Sequence, residues 1–146
     1  MRVPHNSMIV VADGAKALFF RNEGDGEHPN LVVERKDEQD NPPDREQSTD
    51  APGRSFASFS PGRSAYEETD FHQLEEDRFA ASTAELLNRR ALEGDFESLV
   101  IVAPPRTLGE LRKHLHKETE KRITAEIPKT LTGHPVPEIE KILIAE

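Results

Sequence analysis

The chain has 146 residues, which suits one domain. Its 19 Lys and Arg stand against 28 Asp and Glu, a formal net charge of −9 that argues against a general nucleic-acid coat while leaving room for a local basic contact. The absence of Cys excludes disulfides, thiolate catalysis and Cys-based zinc sites, and no apolar run approaches the ~20 residues of a membrane span.

Met1-Arg2-Val3-Pro4-His5-Asn6-Ser7 has no apolar stretch leading to a small-residue cleavage site, so no secretory signal is read and the cytosol is the expected compartment. Met8-Ile9-Val10-Val11-Ala12 is a β-branched run suited to a strand buried on both faces. Asp13-Gly14 predicts a tight hairpin turn in which both positions take positive φ. Residues 15–21 form the return strand, Gly24-Asp25-Gly26 a second turn, and residues 31–35 a third strand, completing an antiparallel meander. Residues 37–52 then read DEQDNPPDREQSTDAP, with six acids, three prolines and one Ala. So little apolar surface cannot offset the entropy of ordering, and a mobile loop is expected over 37–65.

A long helix is predicted from about Glu67 to Glu93, with Ala80, Ala84, Leu87 and Ala91 on one stripe and Gly94 as its left-handed stop. Leu99-Val100-Ile101-Val102-Ala103 is another buried strand, stopped by Pro104-Pro105. Thr107 and Glu110 have the spacing of a capping box at the start of a helix that turns Leu108, Leu111 and Leu115 inward. Ile123, Ala125 and Ile127 alternate as an edge strand, and a last helix near Pro135 and Pro137 buries Ile139, Ile142 and Leu143. The two most apolar runs belong side by side at the centre of the sheet. Right-handed crossovers then give a single α/β domain spanning 1–146, with a mixed five-stranded sheet of order 3-2-1-4-5 and flanking helices, a ribonuclease H-like arrangement.

Four constellations bear on chemistry. A two-metal nuclease needs carboxylates converging at the strand ends. The first strand carries none inside it, the fourth ends in Ala-Pro-Pro, and Asp13 reads as a turn residue. Asp70, His72 and Glu76 include an i, i+4 pair able to share a divalent ion, but two ligands without a partner cluster specify little, and the residues read as the acid-rich start of a solvated helix. No metal or other cofactor is expected. Residues 53–65 hold Arg54, Arg63, four Ser and no acid; glycines allow close backbone approach, and Arg and Ser donate to phosphate. Residues 106–122 hold six Lys and Arg, including Arg106 and Arg112, against three Glu, which is also what the wet face of an amphipathic helix looks like.

Several motifs resemble those of the bacterial host attachment protein family. They are Val11-Ala12-Asp13-Gly14-Ala15-Lys16-Ala17, Gly62-Arg63-Ser64-Ala65 with Asp70-x-His72-x-x-Glu75-Glu76-Asp77-Arg78-Phe79-Ala80, and Leu99-Val100-Ile101-Val102-Ala103-Pro104-Pro105-Arg106-Thr107-Leu108-Gly109-Glu110-Leu111-Arg112. Glu126-Ile127-x-Lys129-x-Leu131-Thr132, His134-Pro135 and Glu138-Ile139-Glu140 complete the set, and Pro128 and Thr130 depart from the family pattern. That family is similar to the middle domain of the eukaryotic and archaeal class-1 release factors, where a Gly-Gly-Gln loop ahead of a long helix reaches the peptidyl-transferase centre. Here the matching stretch is Pro61-Gly62-Arg63, so the resemblance implies the fold without the hydrolysis. It implies a non-catalytic module that binds ribosome or tRNA through Arg54, Gly62, Arg63 and Ser64, with Arg106 and Arg112 nearby. The alternative is a regulatory protein that binds a protein partner and affects attachment indirectly. The oligomeric state is left open.

Overall fold

Five short apolar runs become one sheet in this computed structural model, which describes the backbone of residues 1–39 and 61–146 and the side chains of residues 1–39 and 71–146. The strands are β1 (Met8–Ala12), β2 (Lys16–Asn22), β3 (Leu31–Glu38), β4 (Leu99–Val102) and β5 (Ile123–Ile127), in the order β3-β2-β1-β4-β5. β1 pairs antiparallel with β2 and parallel with β4, and β4 pairs parallel with β5. All residues of β1 and β4 are buried, as strands covered on both faces must be.

The pleat divides their side chains between two cores. Met8, Val10 and Ile101 face helix α1 (Pro61–Leu92) and helix α2 (Pro105–His114), meeting Ala80, Ala84, Leu87, Ala91, Leu108 and Leu111. The alanines let α1 lie close to the sheet. Ile9, Val11, Val100 and Val102 face the other way, onto Ile139 and Leu143 of helix α4 (Val136–Ala145). A one-turn helix α3 (Lys117–Glu120), which no sequence pattern announces, joins α2 to β5.

Four expectations are corrected. β3 runs on to Glu38, so residues 37 and 38 are strand and not the start of a loop. An edge strand tolerates this polar sequence because its side chains reach water, where Arg35 pairs with Asp37 and Lys36 with Glu38. Helix α1 begins at Pro61, so residues 61–65 are helical and not loop; proline at the first helical position gives up an N–H that has no partner there anyway. The β1–β2 turn does not use positive φ: among the described residues only Asn6 and Gly94 have it. Instead Asp13 Oδ1 accepts from the backbone N–H of Ala15 and of Lys16, each at 2.8 Å, an Asx turn. Gly14 supplies space, since a Cβ there would stand 2.7 Å from Glu76 Cδ. Finally, no capping box forms. α2 starts two residues before Thr107 with Pro104 at its N-cap, Thr107 is buried in its first turn, and Glu110 pairs with Lys113.

Candidate nucleic-acid interface

Arg54 lies outside the described residues. Gly62, Arg63 and Ser64 stand in the first turn of α1, where backbone N–H groups and the helix dipole favour an anion. Among the described side chains of α1, Ala80 is the first that is buried. Roughly 28 Å of helix precedes it at ~1.5 Å per residue. Two contacts steady this stretch against the sheet: Glu76 covers Gly14, and Glu75 Oε2 accepts from Gln39 Nε2 at 3.0 Å.

From the basic run, Arg106 approaches α1. It is exposed at the start of α2 and borders a shallow groove with Gln73, Glu76 and Asp77 of α1. No ion pair engages it among the described residues. Arg112 is committed elsewhere, donating from Nε to Glu126 Oε1 on β5 at 2.8 Å. Lys113 binds Glu110 at 2.7 Å, Lys121 binds Glu118 at 2.9 Å, and Arg122 donates to the Phe96 carbonyl. Hydrogen bonds from Lys113 and Lys121 hold the Glu110 and Glu118 carboxyls below their ordinary range, and Glu110 raises Lys113 in turn. Four of the six cations of the run, Arg112, Lys113, Lys121 and Arg122, therefore already have partners within the protein.

His72 meets Phe71 edge-on with ring centres 6.2 Å apart, Glu76 lies against Gly14, and the side chain of Asp70 is outside the described set. Among the described residues no group of three His, Asp or Glu is placed to hold an ion. Asp13 is also fully engaged, because its Oδ2 accepts the Thr132 hydroxyl at 2.5 Å while Oδ1 closes the turn.

Two polar hubs and a charge network have no counterpart in the sequence analysis. Asn22, fully buried, donates from Nδ2 to the Val3 carbonyl at 2.8 Å and accepts at Oδ1 from Gly24 and Asn30 N–H at 2.9 Å each. Asn88 on α1 ties down the α2–α3 connection. At the opposite end of the sheet, Arg21 and Arg90 hold Glu34 and Asp95. Burial pushes the Glu34 carboxyl up, but the hydrogen bonds and charges of Arg21 and Arg90 outweigh it and hold it below the ordinary value. Arg21 borders an open cleft of about 660 Å³, yet all five of its N–H groups are spent on Glu34, Asp95 and the Asn6 carbonyl. No sequence signal marks such a network, because its members come from β2, β3, α1 and the loop after it.

Residues 6–143 match the family model for bacterial archaeo-eukaryotic release factor family 12. Two solved structures are similar in fold. One is a crystal structure of an archaeal translation termination factor, aRF1, with 15% identity and a TM-score of 0.47, covering 82% of this chain and 29% of that one. The other is described as an archaeal protein, with 11% identity and a TM-score of 0.49, covering 94% of this chain and 32% of that one. The chain thus spans about a third of the length of either. No curated protein matches it. Host attachment does not figure in these descriptions. Among the described residues no helix is long and apolar enough to cross a membrane.

Proposed function

Because the chain belongs to bacterial archaeo-eukaryotic release factor family 12, we propose that it is a ribosome- or tRNA-binding module that works by contact and not by hydrolysis. The observation that carries this reading is the position of Pro61-Gly62-Arg63-Ser64 at the start of a 32-residue helix in which Ala80 is the first buried residue among the described side chains. A helix of that length is a rigid rod, its first turn offers backbone N–H groups to a phosphate, and Arg63 adds a cation to that turn of the sequence. Arg54 precedes that end in sequence and adds a second cation. Arg106 stands beside the same helix about 15 Å further along, counting ~1.5 Å per residue from Arg63 to Gln73, and is the one cation of α2 we assign to the surface. Arg112 is withdrawn from it, since Glu126 holds its guanidinium.

Reading the module as non-catalytic rests on Arg63 standing where the resembled release factors have the Gln that places the hydrolytic water. Purified protein should co-sediment with ribosomes at low and at physiological salt, and Arg63→Ala should weaken that association. Equal binding by parent and Arg63→Ala would refute the assignment of the contact, and no co-sedimentation of the parent at either salt would refute the function. In that last case the alternative, a regulatory protein acting through a protein partner, takes its place.

A further inference from the structure

Asp13-Gly14 makes its turn without using the backbone freedom of a glycine. Among the described residues Gly94 is the glycine with positive φ, so the backbone at position 14 would accept a side chain. What forbids one is α1. A Cβ on Gly14 would stand 2.7, 2.8 and 2.9 Å from Cδ, Cγ and Oε2 of Glu76. Cγ is placed by a single side-chain torsion from the helix, so it yields less freely than the carboxylate end. The helix therefore rests on the bare backbone of the turn. Gln39 completes this seat. Its backbone N–H donates to the Ala15 carbonyl at 2.7 Å, fastening the end of β3 beside the turn, and its Nε2 donates to Glu75 Oε2 at 3.0 Å.

The seat is itself held from two directions. Asp13 Oδ1 accepts from the Ala15 and Lys16 N–H groups, and the Asp13 N–H donates to the Lys16 carbonyl at 2.8 Å. Asp13 Oδ2 takes the hydroxyl of Thr132, which comes from the connection between β5 and α4. Beyond the seat, the helix from Glu75 back to Arg63 spans ~18 Å at ~1.5 Å per residue. A rod carries that span as a lever. A tilt of about 10° at the seat moves the Arg63 turn by roughly 3 Å, whereas a hydrogen bond to phosphate tolerates only about 0.5 Å.

We propose that Gly14 and Gln39 are positioning residues. With Glu76 and Glu75 they fix the angle at which α1 leaves the sheet, and so place its first turn, Arg63 included, against phosphate. The inference rests on the ribosome reading above and adds to it residues that touch no RNA. It gives Gly14 a role that the geometry of its own turn does not require.

The chain has no cysteine, so Ala65→Cys with Lys141→Cys on α4 carries two spin labels whose separation, read by double electron–electron resonance, reports the angle of α1. In that background Gly14→Leu drives a side chain under the helix. The separation should change by about 3 Å or more. Binding to salt-washed ribosomes at physiological salt should weaken about tenfold, the worth of one charge-assisted hydrogen bond. Adding Glu76→Ala removes the three atoms nearest the new side chain and should return both readouts toward the parent. Gln39→Ala leaves the turn alone and removes the bond to Glu75. It should keep the parent's urea midpoint, broaden the distance distribution and weaken ribosome binding, while Glu75→Gln, which keeps an acceptor for Gln39, behaves as parent. A merely structural role would lower the urea midpoint and leave the separation in folded molecules where it was. Gln39→Ala decides the matter by itself if Gly14→Leu does not fold. An unchanged separation would overturn the inference, and so would a changed separation with undiminished ribosome binding. A parent that fails to bind ribosomes removes the reading and the inference together, an outcome told from the others by the parent alone.

Discussion

Replacing Asn88 with Ala tests whether the α1–α2–α3 arrangement is held by one buried amide. Asn88 is 4% exposed, donates from Nδ2 to the His114 carbonyl at 2.8 Å, and accepts at Oδ1 from the His116 N–H at 2.9 Å and the Thr119 hydroxyl at 2.6 Å. Thr119 is wholly buried, so the truncation leaves its hydroxyl without an acceptor, at a cost of about 1–3 kcal/mol. His114 and His116 are exposed residues whose backbone groups regain water in part, adding roughly another 1 kcal/mol by the net worth of a typical hydrogen bond. The better helix propensity of Ala returns at most about 0.7 kcal/mol. The net expectation is a loss of about 2–3 kcal/mol, a sizeable part of the ~5–15 kcal/mol of a typical domain. Equilibrium urea unfolding reads it as a shift of midpoint at constant slope. Thr119→Val removes the orphaned hydroxyl, so the double variant should be more stable than the sum of the single losses predicts, by about 1 kcal/mol. A loss below about 1 kcal/mol for Asn88→Ala, or a strictly additive cycle, would refute the idea that this amide is the clamp.

Two further expectations concern the far end of α1. Glu34 has a folded pKa held below its ordinary value, so the stability it contributes is fully present above the unfolded value and fades as pH falls through the lower, folded one. Urea midpoints of parent and Glu34→Gln should therefore converge as pH drops below about 4, and curves that stay parallel into acid would sink the assignment. Gly94 has φ 72° and nothing within 4 Å of the place a Cβ would take, so Gly94→Ala costs backbone strain alone. That is about 1 kcal/mol, or a Tm lower by roughly 4 °C, with Gly94→Asn recovering part of it, whereas an unchanged Tm in Gly94→Ala would refute the strain argument.

The sheet order is legible in the sequence because β1 and β4 are uninterrupted β-branched runs, which only a central position can bury on both faces. Where charge replaces apolar pattern, sequence and structure part for a consistent reason. β3 continues through Lys36, Asp37 and Glu38 because ladder hydrogen bonds to Lys16, Ala17 and Leu18 need no apolar side chain at an edge. The start of α1 has Gly and Ser, residues of low helix propensity, yet Pro61 fits the first turn and the following helix extends over it. The Asp13-Gly14 turn is legible in place but not in mechanism. The carboxylate bonds within three residues of Asp13 are local, but the crowding by Glu76 comes from a helix far along the chain. Long-range pairing is likewise what separates Arg106 from Arg112. Both look alike in the basic run, and only the fold reveals Glu126 opposite the second.

The charge distribution also constrains how such a molecule can hold a ribosome. Each phosphate contact on single-stranded RNA contributes about −0.7 to the logarithmic salt slope, so Arg54 and Arg63 together give a slope of only about −1.4. Contacts that shallow are worth little at physiological salt, where the screening length is about 8 Å and Arg106, roughly 15 Å along the helix from Arg63, adds little steering. A chain with a net charge of −9 has no broad field to compensate. Tight association through the tip of α1 therefore requires surface that does not depend on cations. The same arithmetic fixes an observable: the salt slope of ribosome binding should stay shallow, near that of two phosphates, and a slope steeper than about −4 would mean that a basic surface other than the tip of α1 carries the complex.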